Sequence, residues 1–120
     1  MENKIKEAFK IQLINLCDDL LVVFNNDNFI YQIKSYIKTQ LLEPDFFDRL
    51  HSYFCKDIEE AINNKNDDIL FKTNFTFIPN SKEDLIKLKM GRYWKNLSNK
   101  NKEKVWDYFL VLLKLYKTMV

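Results

Sequence analysis

The sequence predicts an all-α fold, a compact bundle of four longer helices with one or two short ones. The 120 residues include only one Gly and two Pro, whereas the turns of an all-β fold would require many more. Apolar residues make up 47% of the chain, enough to bury a core, and most of them recur at helical spacing. The length fits a single helical domain over residues 1–120.

The first helix is predicted from about Lys4 to Phe24. Its apolar residues follow steps of three and four, which place them along one side of an amphipathic helix: Ile5, Phe9, Leu13, Leu16, Leu20 and Val23. The polar run Asn25–Asn28 ends this helix and supplies a cap for the next one.

Two further helices are predicted in the first half of the chain. The second runs from about Asp27 to Leu41, and its buried side comprises Phe29, Ile30, Ile33, Ile37 and Leu41. The third runs from about Pro44 to Ile62, because the residue before a Pro leaves the helical region and Pro itself suits a first helical turn. Its predicted buried residues are Phe47, Leu50, Phe54, Ile58 and Ile62.

The segment after the third helix contains one short element. The run Asn63–Asn66 breaks the third helix, and Ile69–Phe71 is predicted as one helical turn. Residues 73–78 alternate polar and apolar only briefly and have no obvious pairing strand. We therefore interpret them as an extended connector that ends at Pro79.

A short helix is predicted next, from a variant of the capping box at Ser81 and Asp84 to about Lys89. Gly91, the only Gly of the chain, is predicted as its left-handed C-terminal cap. Residues 93–97 are predicted as one more helical turn.

The final quarter of the chain combines both tryptophans with the densest apolar run, so it is the predicted anchor of the fold. Ser98 is predicted to cap a final helix from about Asn99 to Lys117. Its buried face would comprise Val105, Trp106, Phe109, Leu110, Leu113 and Tyr116, with Leu112 and Leu115 widening it.

Charge is unevenly distributed along the chain. The net charge is only +2, which argues against a protein that coats nucleic acid nonspecifically. Residues 43–68 hold eight acids and three bases, whereas residues 82–104 hold eight bases and three acids. These segments could meet inside the fold, meet between copies, serve different partners, or simply form two solvated faces that differ.

No catalytic constellation is evident. A chain with one Gly cannot form a Gly-rich phosphate loop or a serine nucleophile elbow. The adjacent carboxylates, Asp18-Asp19, Glu59-Glu60 and Asp67-Asp68, are predicted to lie on the solvated surface, because successive helical residues do not face each other. We therefore predict no catalytic residue and no enzymatic activity.

His51 and Cys55 lie four residues apart on the predicted third helix and would share a face. With Cys17 as a third ligand they could seat zinc, or His51 could activate the Cys55 thiol. No fourth ligand or oxyanion device accompanies them, so we predict neither a metal site nor a cofactor.

The two cysteines show no disulfide framework spacing, and the sequence shows no signal peptide, no membrane span and no lipidation motif. These features predict a reduced, intracellular protein.

The remaining candidate is a basic segment that contains aromatic residues. Its predicted partner-binding residues are Lys87, Lys89, Arg92, Tyr93, Lys95, Lys100, Lys102 and Lys104. Bases interleaved with aromatics suit single-stranded nucleic acid, and the helix start at Ser98 could bind a phosphate. The competing interpretation is a solvated helix start, with Trp94 packed into the core beneath the final helix.

The C-terminal third resembles small proteins of giant DNA viruses of the mimivirus kind. The residues that carry the resemblance are Phe77-Ile-Pro79, Tyr93-Trp94, Leu97-Ser98, Lys100, Lys102-Glu103, Val105-Trp106 and Tyr108. That group reads approximately as a Leu-Pro turn, a Trp, an Ile-Ser-x-Lys-x-Lys-Glu stretch and an Ile-Trp-x-Tyr-Leu helix. The match covers about residues 75–113. The segment between Pro79 and Trp94 is longer here, and Phe109 replaces a Leu.

The resemblance implies a viral origin and supplies no catalytic residue to carry over. The AT-rich codon bias suggested by 17 Lys against two Arg agrees with that origin. We expect a non-enzymatic interaction or structural protein in the virion or in the virus factory of the host cytoplasm. It would act through protein–protein contacts, self-association included, and without a membrane. The alternative is a nucleic-acid-binding accessory protein that uses segment 87–104.

Overall fold

A computed structural model of the chain describes residues 2–40, 43, 45–72 and 83–119. Every regular element in these ranges is an α-helix, and no strand occurs in them, which confirms the all-α prediction. The helices are α1 (Glu2–Val23), α2 (Asn28–Gln40), α3 (Phe46–Tyr53), α4 (Lys56–Asn63), α5 (Asp67–Lys72), α6 (Glu83–Asn96) and α7 (Asn99–Met119).

The chain divides into two compact units. The first unit comprises Met1–Phe46 and Val111–Val120, and the second unit comprises Phe47–Leu110. The single domain predicted over residues 1–120 stays a prediction. The predicted set of four longer helices differs from the observed one, in which α1, α2, α6 and α7 are the longer helices of the described residues.

In the first unit α1 packs against α2. An asparagine-rich turn connects the two helices. Asn25 and Asn26 adopt left-handed backbone angles, φ 52° and 60°, which Asn tolerates better than most residues. The Asn26 N–H donates to the Leu21 carbonyl at 2.7 Å and closes the end of α1. Asp27 Oδ1 then accepts the N–H groups of Phe29 and Ile30, so the predicted turn and cap are confirmed.

The buried face of α1 follows a row of residues four apart: Phe9, Leu13, Cys17 and Leu21. Such a row is inclined to the helix axis, because four residues exceed one turn, and it forms a ridge that a crossing helix can cover. The predicted stripe is correct at Phe9, Leu13 and Leu16, whereas Ile5 and Leu20 are partly exposed and Val23 is exposed. On α2 the buried residues are Ile30 and Ile37, while Phe29 and Ile33 are partly exposed.

The predicted third helix is wrong, because the chain forms two helices that are interrupted at Phe54 and Cys55. Cys55 has extended backbone angles, φ −75° and ψ 173°, at the N-cap of α4. The buried residues of α3 follow steps of four and three: Phe46, Leu50 and Tyr53. A continuous helix would next bury Asp57. The break shifts the helical phase by one residue, so Ile58 is buried and Asp57 stays exposed.

The break at Phe54 and Cys55 also changes which residues of this region are buried. Phe47 and Phe54, predicted to be buried, are partly exposed, whereas Phe46 and Tyr53 are buried in their place. Burial also raises the pKa of the Tyr53 hydroxyl. Periodicity alone could not choose between these neighbouring rows, since both contain aromatic residues at helical spacing.

The predicted break at Asn63–Asn66 is confirmed as a tight turn between α4 and α5. Lys65 takes the left-handed conformation, φ 52°, and its N–H donates to the Ile62 carbonyl at 3.2 Å while the Asn66 N–H donates to that of Ala61 at 2.8 Å. This pair of bonds is a Schellman motif. Asn66 Oδ1 then accepts the Ile69 N–H at the start of α5. The predicted turn at Ile69–Phe71 is part of α5.

Gly91 does not cap a helix, contrary to the prediction. It lies inside α6, which continues to Asn96 and absorbs the separate turn predicted at residues 93–97. The φ of Gly91 is not positive. A Gly inside a helix costs about 1 kcal/mol, whereas burying an indole of about 150–250 Å² at about 25 cal/mol per Å² contributes several times more. The burial of Trp94 therefore outweighs the helix-ending preference of Gly91.

The cap predicted at Ser98 is confirmed, since Ser98 Oγ accepts the Asn101 N–H at 3.2 Å. Of the predicted face of α7, the buried members are Val105, Trp106, Leu113 and Tyr116, and Leu112 is buried with them. Phe109 and Leu110 are partly exposed. The predicted connector at residues 73–78 and the predicted cap at Ser81 lie outside the described residues.

Because Gly91 lies inside a helix, replacing it by Ala should stabilise the protein. The same replacement at a left-handed cap would destabilise it. A Cβ added at Gly91 would meet no atom within 4 Å, so we expect Gly91→Ala to raise the free energy of unfolding by about 0.5–1 kcal/mol. Urea denaturation of both chains measures this difference. A loss of stability of similar size would show that Gly91 needs a backbone conformation that alanine cannot adopt.

Candidate functional site

The centre of the second unit is a pair of buried indoles. Trp94 on α6 and Trp106 on α7 are 6% and 4% exposed. Their ring centroids are 5.4 Å apart and their planes are inclined by 80°, the edge-to-face arrangement that aromatic pairs prefer. Phe109 extends the cluster, with its centroid 6.2 Å from that of Trp106. The expectation that Trp94 belongs to the core is confirmed.

The polar edge of Trp94 is bound by a carboxylate. Trp94 Nε1–H donates to Asp67 Oδ2 at 2.7 Å, and Asp67 lies in the first turn of α5. A buried indole N–H without an acceptor is costly, so this bond makes the burial of Trp94 favourable. The bond corrects the prediction that Asp67 is a solvated surface residue: it is partly buried and holds α5 to α6.

A cation covers the same indole. The Lys102 ammonium lies 5.6 Å from the Trp94 ring centroid, within the range of a cation–π interaction. Lys102 itself is partly buried. Trp94 therefore contacts Trp106, Asp67 and Lys102, and these three contacts leave little of its ring for an external ligand.

An ion pair connects the turn after α4 to the beginning of α7. Lys65 Nζ lies 2.7 Å from Glu103 Oε2. This hydrogen bond from Lys65 to Glu103 raises the pKa of the lysine, and Asp107, one turn further along α7, adds to the effect. Both side chains are exposed. We therefore expect the pair to fix the turn after α4 next to α7 and to add little to the free energy of unfolding.

The predicted partner-binding residues lie on α6 and on the first turns of α7. Arg92 and Lys95 are exposed and three residues apart on α6, and Lys100 and Lys104 are exposed and four apart on α7. We call these four residues with Tyr93, which is partly exposed, the basic surface. Lys89 is also partly exposed. Lys87 belongs to α6, and its side chain lies outside the described residues.

A smaller group of exposed carboxylates lies on α4 and α5 of the same unit. Asp57 and Glu60 are exposed and three residues apart on α4, and Asp68 is exposed in the first turn of α5. We call Asp57, Glu60 and Asp68 the acidic surface. Glu60 and Asp68 are exposed as the sequence predicted, whereas Glu59, also predicted to be exposed, is partly buried.

The candidate metal site loses its geometric basis. Because the helix is interrupted at Cys55, His51 and Cys55 do not share one continuous helix face. The side chain of His51 lies outside the described residues, and the described residues hold no group of three or more His, Cys, Asp or Glu side chains that could bind a metal ion.

The two thiols have contrasting environments. Cys17 is buried in the first unit, where burial, and secondarily the charge of Asp18, raises its pKa to about 11. Asp18 forms an ion pair with Lys34 of α2 and so raises the pKa of that lysine. Cys55 is exposed.

No protein-family model, curated protein or solved structure matches this chain. The resemblance of residues 75–113 to giant-virus proteins therefore stays a proposal. Within the part of the chain that the structure describes, no helix has both the length and the apolar character needed to cross a membrane.

The carboxylate that holds Trp94 gives a stability prediction with a matched control. Asp67→Ala leaves the Trp94 N–H without its acceptor and should lower the free energy of unfolding by about 1–3 kcal/mol more than Asp68→Ala. Both residues lie in the first turn of α5, so the loss of helix-dipole stabilisation is common to both variants. Urea denaturation gives the two values. Equal losses would mean that the bond to Trp94 contributes nothing.

The thiols should differ in reactivity. A pKa raised from 9.0 to about 11 lowers the thiolate fraction of Cys17 about 100-fold at pH 8, and burial slows its reaction further. A disulfide reagent such as Ellman's should modify one thiol per chain rapidly, and Cys55→Ser should remove that rapid phase. Rapid modification that persists in Cys55→Ser would contradict the burial of Cys17.

Proposed function

We propose that this chain is a non-enzymatic interaction protein that contacts a protein partner through the basic surface. One observation carries the proposal. Four cations, Arg92, Lys95, Lys100 and Lys104, are exposed on two successive helices of one unit, while the aromatic residues between those helices are buried. Such a surface presents charge on a fixed scaffold, since α6 and α7 are held by Trp94 and Trp106.

The chemistry of this surface suits recognition of an acidic protein surface. Exposed charges accelerate encounter and reject partners of like charge more than they add affinity. Affinity in protein interfaces comes largely from Tyr, Trp and Arg. Arg92 is exposed and the next residue, Tyr93, is partly exposed. We propose Tyr93 as the aromatic anchor and Arg92 as the group that binds a carboxylate.

The setting and the absence of catalysis are part of the same proposal. The viral assignment rests on the resemblance of residues 75–113 and places the protein in the virion or in the virus factory of the host cytoplasm. The non-enzymatic assignment rests on the sequence, which has no phosphate-binding Gly loop and no nucleophile elbow. Immunolocalisation in infected cells and analysis of purified virions test the setting.

The alternative is binding of nucleic acid by the same surface. Its exposed cations favour it, because phosphate contacts supply most of the nonspecific affinity for nucleic acid. Stacking of bases needs an accessible aromatic face, and Trp94 is 6% exposed with Lys102 over its ring. The ring of Trp94 is therefore not accessible for stacking, so the protein-binding proposal is the better supported one.

A charge-reversal experiment with a matched control tests the proposal. The variant Lys95→Glu, Lys100→Glu, Lys104→Glu changes only the basic surface, and it spares Lys102, which contacts Trp94. The control Lys4→Glu, Lys38→Glu, Lys114→Glu makes the same change in net charge at exposed positions elsewhere. In affinity purification of the tagged chain from its host cells, we expect the surface variant to lose the captured protein at least about tenfold, since like charges now repel, and the control to retain it.

Equal capture by the native chain and the surface variant would contradict a role for the basic surface. Titration of single- and double-stranded oligonucleotides between low and high salt separates the alternative, because binding through phosphates weakens steeply as salt rises. Capture that survives nuclease treatment favours the protein partner, and oligonucleotide binding that the surface variant abolishes favours nucleic acid.

A further inference from the structure

Besides the hydrogen bond from Trp94 to Asp67, an ion pair between the two minority charges joins the acidic and basic segments. Lys65 is a base within the acidic segment, residues 43–68, and Glu103 is an acid within the basic segment, residues 82–104. These two residues form the ion pair of 2.7 Å between the α4–α5 turn and α7. The pair therefore uses one minority charge of each segment.

When these two paired charges are left out of the count, the two segments differ more strongly in charge. The acidic segment then holds eight acids and two bases, and the basic segment eight bases and two acids. Exposed members include Asp57, Glu60 and Asp68 on the acidic side and Arg92, Lys95, Lys100 and Lys104 on the basic side. Both groups belong to the second unit, and Lys65–Glu103 brings their elements next to one another.

The acidic surface and the basic surface carry opposite signs and belong to one unit, so each copy offers both halves of a charge-complementary contact. A two-fold rotation places the acidic region of one copy on the basic region of another, and the same rotation makes the reciprocal contact. A net charge of +2 opposes this approach only weakly. The complementary charge that the basic surface requires is thus present on the chain itself.

We propose that the partner of the basic surface is the acidic surface of a second copy, in a symmetric dimer that makes this contact twice. The inference rests on the proposed function and names its partner. The contact joins exposed charges, so salt weakens it: the screening length falls from about 10 Å at 0.1 M to about 3 Å at 1 M. The dimer should dissociate as the salt concentration rises through this range.

Complementary charge reversals test the dimer directly. The first variant, Lys95→Glu, Lys100→Glu, Lys104→Glu, makes both surfaces acidic. The second, Asp57→Lys, Glu60→Lys, Asp68→Lys, makes both basic. Sedimentation at low salt should give twice the chain mass of 14.6 kDa for the native protein and 14.6 kDa for each variant alone. An equimolar mixture of the variants should recover the double mass, because every contact is again between opposite charges.

Each outcome decides the inference. A native chain that is monomeric at low salt overturns it, as does a dimer that either variant leaves intact, or a pair of variants that keep native helical circular dichroism and do not recombine. If a reversal unfolds a variant, the neutral Lys95→Gln, Lys100→Gln, Lys104→Gln variant replaces it, and an unchanged dimer affinity overturns the inference. The control Lys4→Glu, Lys38→Glu, Lys114→Glu should remain dimeric, and its dissociation would likewise overturn the inference.

The dimer and the proposed function fail separately. A monomeric native chain whose capture of another protein is lost on reversal of the basic surface overturns the second copy as partner and leaves the proposed function standing. A monomeric chain whose capture is unaffected by that reversal overturns both.

Discussion

The hydrogen bond from the Trp94 indole to Asp67 is the constraint on which the rest of the second unit depends. An indole contributes a large apolar area when it is buried, but only if its N–H finds an acceptor. Asp67 supplies that acceptor from α5, a helix of six residues that is too short to be stable by itself. Trp106 of α7 contacts the same indole. One side chain on α6 thus fixes three helices.

The exposed charges are a consequence of that arrangement. Successive helical residues are about 100° apart, so a helix that turns Trp94 inward turns Arg92 and Lys95 away from it, and both are exposed. On α7 the inward Val105 and Trp106 likewise leave Lys100 and Lys104 outside. Lys102 lies between these groups and covers the Trp94 ring. The basic surface is therefore carried by two helices that the aromatic core holds together.

Features set by local chemistry could be predicted from the sequence. The Asn-rich turns after α1 and α4 and the Ser98 cap depend on residues within one helical turn, and they form as expected. Gly91 and the break at Cys55 could not be predicted, because distant packing decides them: Trp94 carries α6 past Gly91, and burial of Ile58 resets the phase of α4. The hydrogen bond from Trp94 to Asp67 could not be predicted for the same reason, since 27 residues separate the two side chains and other acids of the chain could equally have been the acceptor.

The most direct test of this account is hydrogen exchange of the two indole N–H groups, observed by nuclear magnetic resonance and assigned with Trp106→Phe. The Trp94 indole proton should exchange much more slowly than that of an exposed tryptophan, and Asp67→Ala should remove most of this protection. Rapid exchange of the Trp94 proton in the native chain would contradict the buried indole, and with it the scaffold that holds the basic surface.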